Sequence, residues 1–144
     1  MVPLARDAYI NATELQTIID RSPLNQWLRM SVSAVDSSFV KVTIQWREEL
    51  ISSPERQSIH GGILATLIDG AGNYALAARI GRAVPTISLH VDYHRRAGAG
   101  DLLAVASPIH IGKTISTAAV EIYDREDMLV ASGRGTYFTG AVSG

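Results

Sequence analysis

Residues 60–81 constrain this chain more than any other stretch. His60-Gly61-Gly62 heads an apolar run that takes in one carboxylate, Asp69, and continues to Ile80. Gly81 stands where a left-handed C-terminal cap is wanted, and Arg79 and Arg82 suit the negative end of a helix dipole. The spacing predicts a helix from about Gly61 to Ile80, roughly 30 Å long at 1.5 Å per residue. No other segment is long and apolar enough to be a fully buried helix. Ala65, Gly70, Ala71, Gly72, Ala75, Ala77 and Ala78 let other backbone approach closely. The glycines among them cost helix propensity, so tight packing must supply the stability.

The rest reads as strands that could wrap this helix. Before them, Asn11 or Thr13 can cap a helix through Ile19, with Leu15, Ile18 and Ile19 on one face. Ser22-Pro23 then opens a short helix expected to bury Leu24, Trp27 and Leu28. From Met30 the period becomes two. Met30, Val32 and Ala34 lead to a turn at Asp36-Ser37-Ser38, and Val40, Val42, Ile44 and Trp46 alternate after it. Residues 48–58 are polar, contain Pro54 and read as a loop. Beyond Pro85, Ile87, Leu89, Val91 and Tyr93 face one way and Thr86, Ser88, His90 and Asp92 the other. Strands follow at Leu102–Ile111, with Pro108 marking an edge or bulge, at Thr114–Tyr123 after a two-residue Gly112-Lys113 turn, and at Met128–Phe138. The expected fold is α+β: a six-stranded antiparallel sheet curled around one helix. It forms one domain over 1–144, with residues 1–29 a helical lead-in.

Composition narrows the chemistry. No cysteine is present, which excludes disulfides, thiolate zinc sites and thiol nucleophiles. A net charge of −1 gives no general affinity for nucleic acid or anionic membrane. The first residues lack a signal-peptide core, and Asp69, Asn73 and Arg79 argue against a membrane span in the long run. A soluble cytoplasmic protein is expected. His90, Asp92 and His94 alternate on a strand without making a convincing metal site, and no metal is expected. There is no serine triad motif and no phosphate-binding glycine loop.

Two features of residues 60–81 can do chemistry. Gly61 and Gly62 lie at the expected helix N-terminus, where the first N–H groups lack intrahelical partners and ligand can reach the backbone. Such an N–H can stabilise an oxyanion, or the glycine pair can simply turn the chain into the helix. Asp69, among Leu67, Ile68 and Ala71, is a carboxylate expected to be buried and available as general base or nucleophile. Asn73 lies one turn on and could bond Asp69 or a water; His60 could contact substrate or be structural. Gly61 and Asp69 are eight residues apart, about 12 Å along one helix. One carbonyl cannot touch both. If they cooperate, the glycine of one chain meets the aspartate of another across a two-fold axis.

His60-Gly61-Gly62, Leu67-Ile68-Asp69, residues 86–93, Gly112-Lys113-Thr114 and residues 131–137 together resemble the hotdog-fold acyl-CoA thioesterases of the phenylacetate-degradation (PaaI-like) type, in order over about residues 30–138. The resemblance implies hydrolysis of an acyl-CoA thioester with no cofactor beyond the coenzyme A of the substrate. It implies Asp69 as the catalytic carboxylate, Gly61 as the oxyanion donor from the neighbouring subunit and Thr86 as an aid in orienting water. It places Asn73 at a position often polar in the family. It also implies a homodimer, assembling further as a dimer of dimers, with the coenzyme along the subunit interface. Arg95, Arg96, Lys113 and Arg134 are candidates for its phosphates, with ordinary solvated charge the competing reading. The family's Asn or Gln seven residues before the glycine is replaced by Pro54, and Gln57 is the candidate substitute. Tyr74, Leu64, Ile68 and the N-terminal segment are expected around the acyl group. The competing readings are a hotdog dehydratase or hydratase and a non-catalytic acyl-CoA-binding module.

Overall fold

The computed structural model describes residues 8–141. Its helix α3 spans Gly61–Ile80, the limits expected, and Gly81 closes it with φ 86°. Leu64, Leu67, Ile68, Ala71, Tyr74, Ala75, Ala77 and Ala78 are buried, so α3 is covered on most of its circumference. Before it come α1 (Ala12–Ile19), α2 (Pro23–Trp27), β1 (Ser31–Val35), β2 (Val40–Ile44) and a pair of short strands, β3 (Ile51–Ser53) and β4 (Ser58–Ile59). After it come β5 (Thr86–Tyr93), β6 (Leu102–Ile111), β7 (Ile115–Tyr123) and β8 (Leu129–Phe138). Six strands form one antiparallel sheet in the order β1-β2-β6-β7-β8-β5. Its concave face packs Val42, Ile44, Leu102, Ala104, Val120, Ile122 and Ala131 against α3. This is the α+β hotdog architecture that the sequence led us to expect.

Local chemistry explains the joints. The Asn11 side chain caps α1 by accepting from the Glu14 N–H, and Ser22 caps α2 in the same way. Asp36 Oδ1 accepts from the N–H groups of Ser38 and Phe39 and holds the β1–β2 turn. Pro108 lies in β6 beyond the reach of β2, so its missing N–H costs no ladder bond there, and a bulge follows it on the β7 side.

Several expectations need correction. In α2, Leu28 is buried but Leu24 is 50% exposed and Trp27 40% exposed. The five-residue helix instead turns Asn25 inward, where its amide donates to the Ile19 carbonyl and to the Tyr74 hydroxyl. Trp27 is covered on one face by the Arg47 guanidinium, 3.9 Å from the ring centroid. A bulge between Val32 and Ala34 shifts the alternation in β1, so that Val35 rather than Ala34 packs on the core. The stretch read as a loop holds a 3-10 turn at Glu48–Leu50 and the β3–β4 hairpin. The β6–β7 connection is Gly112-Lys113-Thr114, three residues rather than two.

The largest difference concerns β5. Alternation puts Ile87, Leu89 and Tyr93 on the same face of the strand as Val91. They are 54%, 37% and 55% exposed, and only Val91 packs against the core. The cause is topological: β5 is the last strand of the sheet, while α3 packs mainly over β6, β7 and β8.

Candidate active site

Asp69 lies on the flank of α3 that faces β5. Its carboxylate is half-buried, not sealed as the sequence suggested, because the edge strand beside it has no cover. Thr86, at the start of β5, donates its hydroxyl to Asp69 Oδ1 at 2.6 Å. That length is typical of a charge-assisted O–H···O⁻ bond. Asp69 Oδ2 has no hydrogen-bond partner among the described residues. The sheet also holds the Asp69 main chain: the buried Tyr137 of β8 donates its hydroxyl to the Asp69 carbonyl at 2.9 Å. Tyr137 pairs with Thr86 across the β5–β8 ladder. One strand pair therefore grips Asp69 by both side chain and backbone. Burial, and then the charge of Asp69, push the Tyr137 phenol well above the ordinary tyrosine range, with the Asn73 backbone amide opposing. Burial and the same charge raise Tyr74, against the opposing Asn25 hydrogen bond.

The other end of interest is the start of α3. His60 is the N-cap: its Nδ1 accepts from the Gly62 N–H at 2.9 Å. The ring must therefore carry its proton on Nε2 when neutral. The His60 N–H donates to the Leu50 carbonyl and its carbonyl accepts from the Ile63 N–H. Tyr93, at the far end of β5, donates its hydroxyl to the Gly61 carbonyl at 2.7 Å. The Gly61 N–H has no partner among the described residues. It opens beside a groove of about 280 Å³ lined by Leu64, Tyr93, His94, Arg95 and Arg96 among others.

The remaining candidates separate. Asn73 Nδ2 donates to the Val84 carbonyl at 2.6 Å and Oδ1 accepts from the Val84 N–H at 3.0 Å. The amide ties α3 to the returning chain and makes no bond to Asp69. Gln57, in left-handed backbone at φ 52°, turns its amide back onto the Pro54 carbonyl and does not line the groove. Arg95 and Arg96 flank the groove at Gly61. Lys113 is exposed on the β6–β7 connection, and Arg134 is exposed opposite His90 on the outer sheet face. His90 pairs with Asp92 at 3.1 Å while His94 pairs with Ser132. Among the described residues no group of three or more His, Cys, Asp or Glu could hold a metal ion.

Sequence reasoning missed Tyr93 and Tyr137. For Tyr93, alternation named a face but not the strand's place at the sheet edge. For Tyr137 a signal was present. Gly72 in α3 and Gly135 in β8 both vacate space, and a Cβ at either would run into the Tyr137 hydroxyl. A glycine in mid-helix opposite a strand glycine points to a large side chain passing between them.

This architecture defines a hotdog protein with a carboxylate at an open sheet edge and an unspent N–H at a helix start. Residues 57–131 match the Thioesterase superfamily, and the chain belongs to it. A crystal structure of a thioesterase-superfamily protein is 50% identical, with TM-score 0.87 over 88% of this chain and 96% of that one. The PaaI protein from the phenylacetic acid degradation operon of E. coli superimposes with TM-score 0.79 at 25% identity, over 94% of this chain and 98% of that one. YigI of Escherichia coli, named a medium/long-chain acyl-CoA thioesterase, is 25% identical over 82% of this chain and 86% of its own length.

Proposed function

We propose that the protein hydrolyses an acyl-CoA thioester to free CoA and a carboxylic acid, in a site shared by two copies of the chain. The observation that carries this reading is the half-buried Asp69 carboxylate, fixed by Thr86 at an unpaired sheet edge in a member of the thioesterase superfamily. Asp69 and Gly61 sit about 12 Å apart on one helix, so neither chain alone offers both to one carbonyl. An antiparallel meeting of two β5 strands about a two-fold axis at Leu89-His90 brings the Thr86 end of one strand to the Tyr93 end of the other. Asp69 of one chain then serves the thioester whose carbonyl oxygen lies on the other chain's Gly61 N–H.

In this reading Asp69 Oδ2 takes a proton from water as the water oxygen attacks the carbonyl carbon. The Gly61 N–H stabilises the oxyanion, the C–S bond breaks, and the proton goes to the departing sulfur. Direct attack by the carboxylate uses the same atoms: thiolate leaves, a mixed anhydride joins Asp69 to the acyl group, and water opens it; where that water attacks the Asp69 carbonyl, a single turnover in heavy-oxygen water places the label in Asp69 rather than in the released acid. Thr86 orients the carboxylate. Asn73 and Gln57 are committed elsewhere, and His60 shapes the oxyanion loop. Arg95 and Arg96, which line the groove at Gly61, meet the anionic part of CoA in this reading, while Lys113 and Arg134 fit ordinary surface charge. Further pairing into a dimer of dimers follows from the family resemblance alone. No helix among the described residues is long and apolar enough to cross a membrane, and a CoA ester as substrate fits an enzyme of the cytoplasm.

The relatives' names span medium to long acyl chains and the phenylacetic acid operon, so both aliphatic and aromatic esters belong in the test. Free thiol released from phenylacetyl-, hydroxybenzoyl-, short- and medium-chain CoA gives the activity. Asp69→Asn should lower kcat by about 10²-fold or more, the usual weight of a general base, with the fold unchanged by circular dichroism. Turnover retained in that variant sinks the mechanism. Tight acyl-CoA binding without thiol release by the native protein would instead establish a binding module.

A further inference from the structure

Tyr93, we propose, is a positioning residue that fixes the Gly61 N–H as a pre-aimed oxyanion donor; the inference rests on the thioesterase reading. The peptide groups around Gly61 are pinned one by one. The His60 N–H is bound to the Leu50 carbonyl at 2.7 Å, and the His60 carbonyl receives the Ile63 N–H at 2.9 Å. The peptide joining Gly61 to Gly62 is held at both ends. Its oxygen accepts the Tyr93 hydroxyl at 2.7 Å and its N–H donates to His60 Nδ1 at 2.9 Å. Among the described residues only the Gly61 N–H remains uncommitted; its own peptide is held through the His60 carbonyl and the following one through Tyr93 and the His60 ring, and together they set its direction. A donor already aimed where charge develops costs no reorganisation when the reaction occurs.

Tyr93 is the part of this arrangement that comes from the sheet. Its backbone is paired with Ala131 of β8, and the next residue, His94, donates its N–H to Val130. The phenol therefore stands on a rigid base. Its ring also lies on the Gly61 α-carbon: a Cβ at Gly61 would meet ring atoms and the hydroxyl at 3.3 Å. The same side chain thus bonds the Gly61 carbonyl and packs on the glycine so closely that a Cβ there would push the ring back by a few tenths of an ångström. Tyr93 remains 55% exposed even so. Burial is therefore not what holds it in place; its ordered polar contact is with Gly61.

Tyr93→Phe keeps the ring and deletes the hydrogen bond. Loss of donor alignment acts in the transition state, so kcat should fall about tenfold while KM stays within about twofold. The measurement is made well below the melting temperature, with the fold checked by circular dichroism. In amide NMR spectra the Gly61 and Gly62 resonances should move, and the Gly62 amide should exchange faster with solvent. His60→Ala frees the other end of the same peptide, so its effect on kcat should be less than multiplicative with that of Tyr93→Phe. Unchanged kcat in Tyr93→Phe overturns the proposal. So does a rise in KM at constant kcat, which would make Tyr93 a wall of the substrate groove. If the native protein releases no thiol from any CoA ester, the functional reading fails by itself. The spectra then decide: unmoved Gly61 and Gly62 resonances remove Tyr93 from any positioning role.

Discussion

A histidine is an unusual helix cap, and His60 shows what it supplies. Its Nδ1 satisfies the Gly62 N–H, one of the orphan donors at the start of α3. Serine, asparagine or aspartate does this in most helices. His60→Ala should therefore cost about 1 kcal/mol, read from urea unfolding, and His60→Asn should recover most of it. The same pair tests for a role in substrate contact. If His60 only shapes the loop, His60→Asn keeps turnover close to native; if its ring touches the thioester, turnover falls although stability is restored. At this scale the sequence was legible where chemistry is local. Asn11, Ser22 and Asp36 cap and turn as their types suggest. It was misleading where a partner arrives from far along the chain. Asn73 sits one helical turn from Asp69, yet its amide pairs with Val84, brought back by the connection to β5.

Among the elements, α3 was legible to the residue because its signals are intrinsic: a long, mostly apolar run and a glycine in left-handed backbone at its end. β5 was legible as a strand but not as an edge, since alternation carries no information about which strand lies outermost. The fit between α3 and β8 was signalled only by two glycines far apart in sequence, Gly72 and Gly135, which leave the space that the Tyr137 hydroxyl occupies. That fit carries a pH dependence. The folded Tyr137 phenol is raised above its unfolded value, which lies near ~10. Below pH ~10 both states hold the proton and its contribution is fully present. As pH rises above that value the unfolded chain releases the proton first. Unfolding is then favoured by up to about 1.4 kcal/mol per pH unit until the folded phenol ionises too. Urea unfolding of the native protein and of Tyr137→Phe, from pH 8 to above pH 11, should show the stability gap between them shrinking on the alkaline side. A gap that stays constant across that range would mean Tyr137 ionises alike in both states. Near neutral pH, Tyr137→Phe also loses the bond to the Asp69 carbonyl, so a decrease in kcat is expected there.

At the scale of the whole molecule, the two edges of the six-stranded sheet, β1 and β5, are treated differently. At the β1 edge, the Gln16 side chain of α1 accepts from the Val32 N–H at 2.8 Å and donates to the Met30 carbonyl at 2.9 Å. The amide of Gln16 occupies the place of a neighbouring strand. The β5 edge has no such cover among the described residues, is eight residues long and exposes Ile87, Leu89 and Tyr93. An open apolar edge is a template for another strand, and in the function proposed above a second copy of the chain is the partner that completes the site. Leu89→Lys should therefore shift sedimentation toward the monomer and lower thiol release to the same extent, while a dimer that persists would place the contact elsewhere. A stricter test separates shared sites from neighbouring complete ones. Asp69→Asn lacks the carboxylate. Gly61→Pro lacks the N–H but retains a residue suited to the first helical position. Each protein alone should be inactive. After subunits are exchanged at equal concentrations, half of the dimers are mixed, and each mixed dimer holds one site with both native groups and one with neither. Activity should return to about a quarter of the native value. No recovery despite proven exchange would place the carboxylate and the donor within one chain and require α3 to bend in a way its regular ladder does not show.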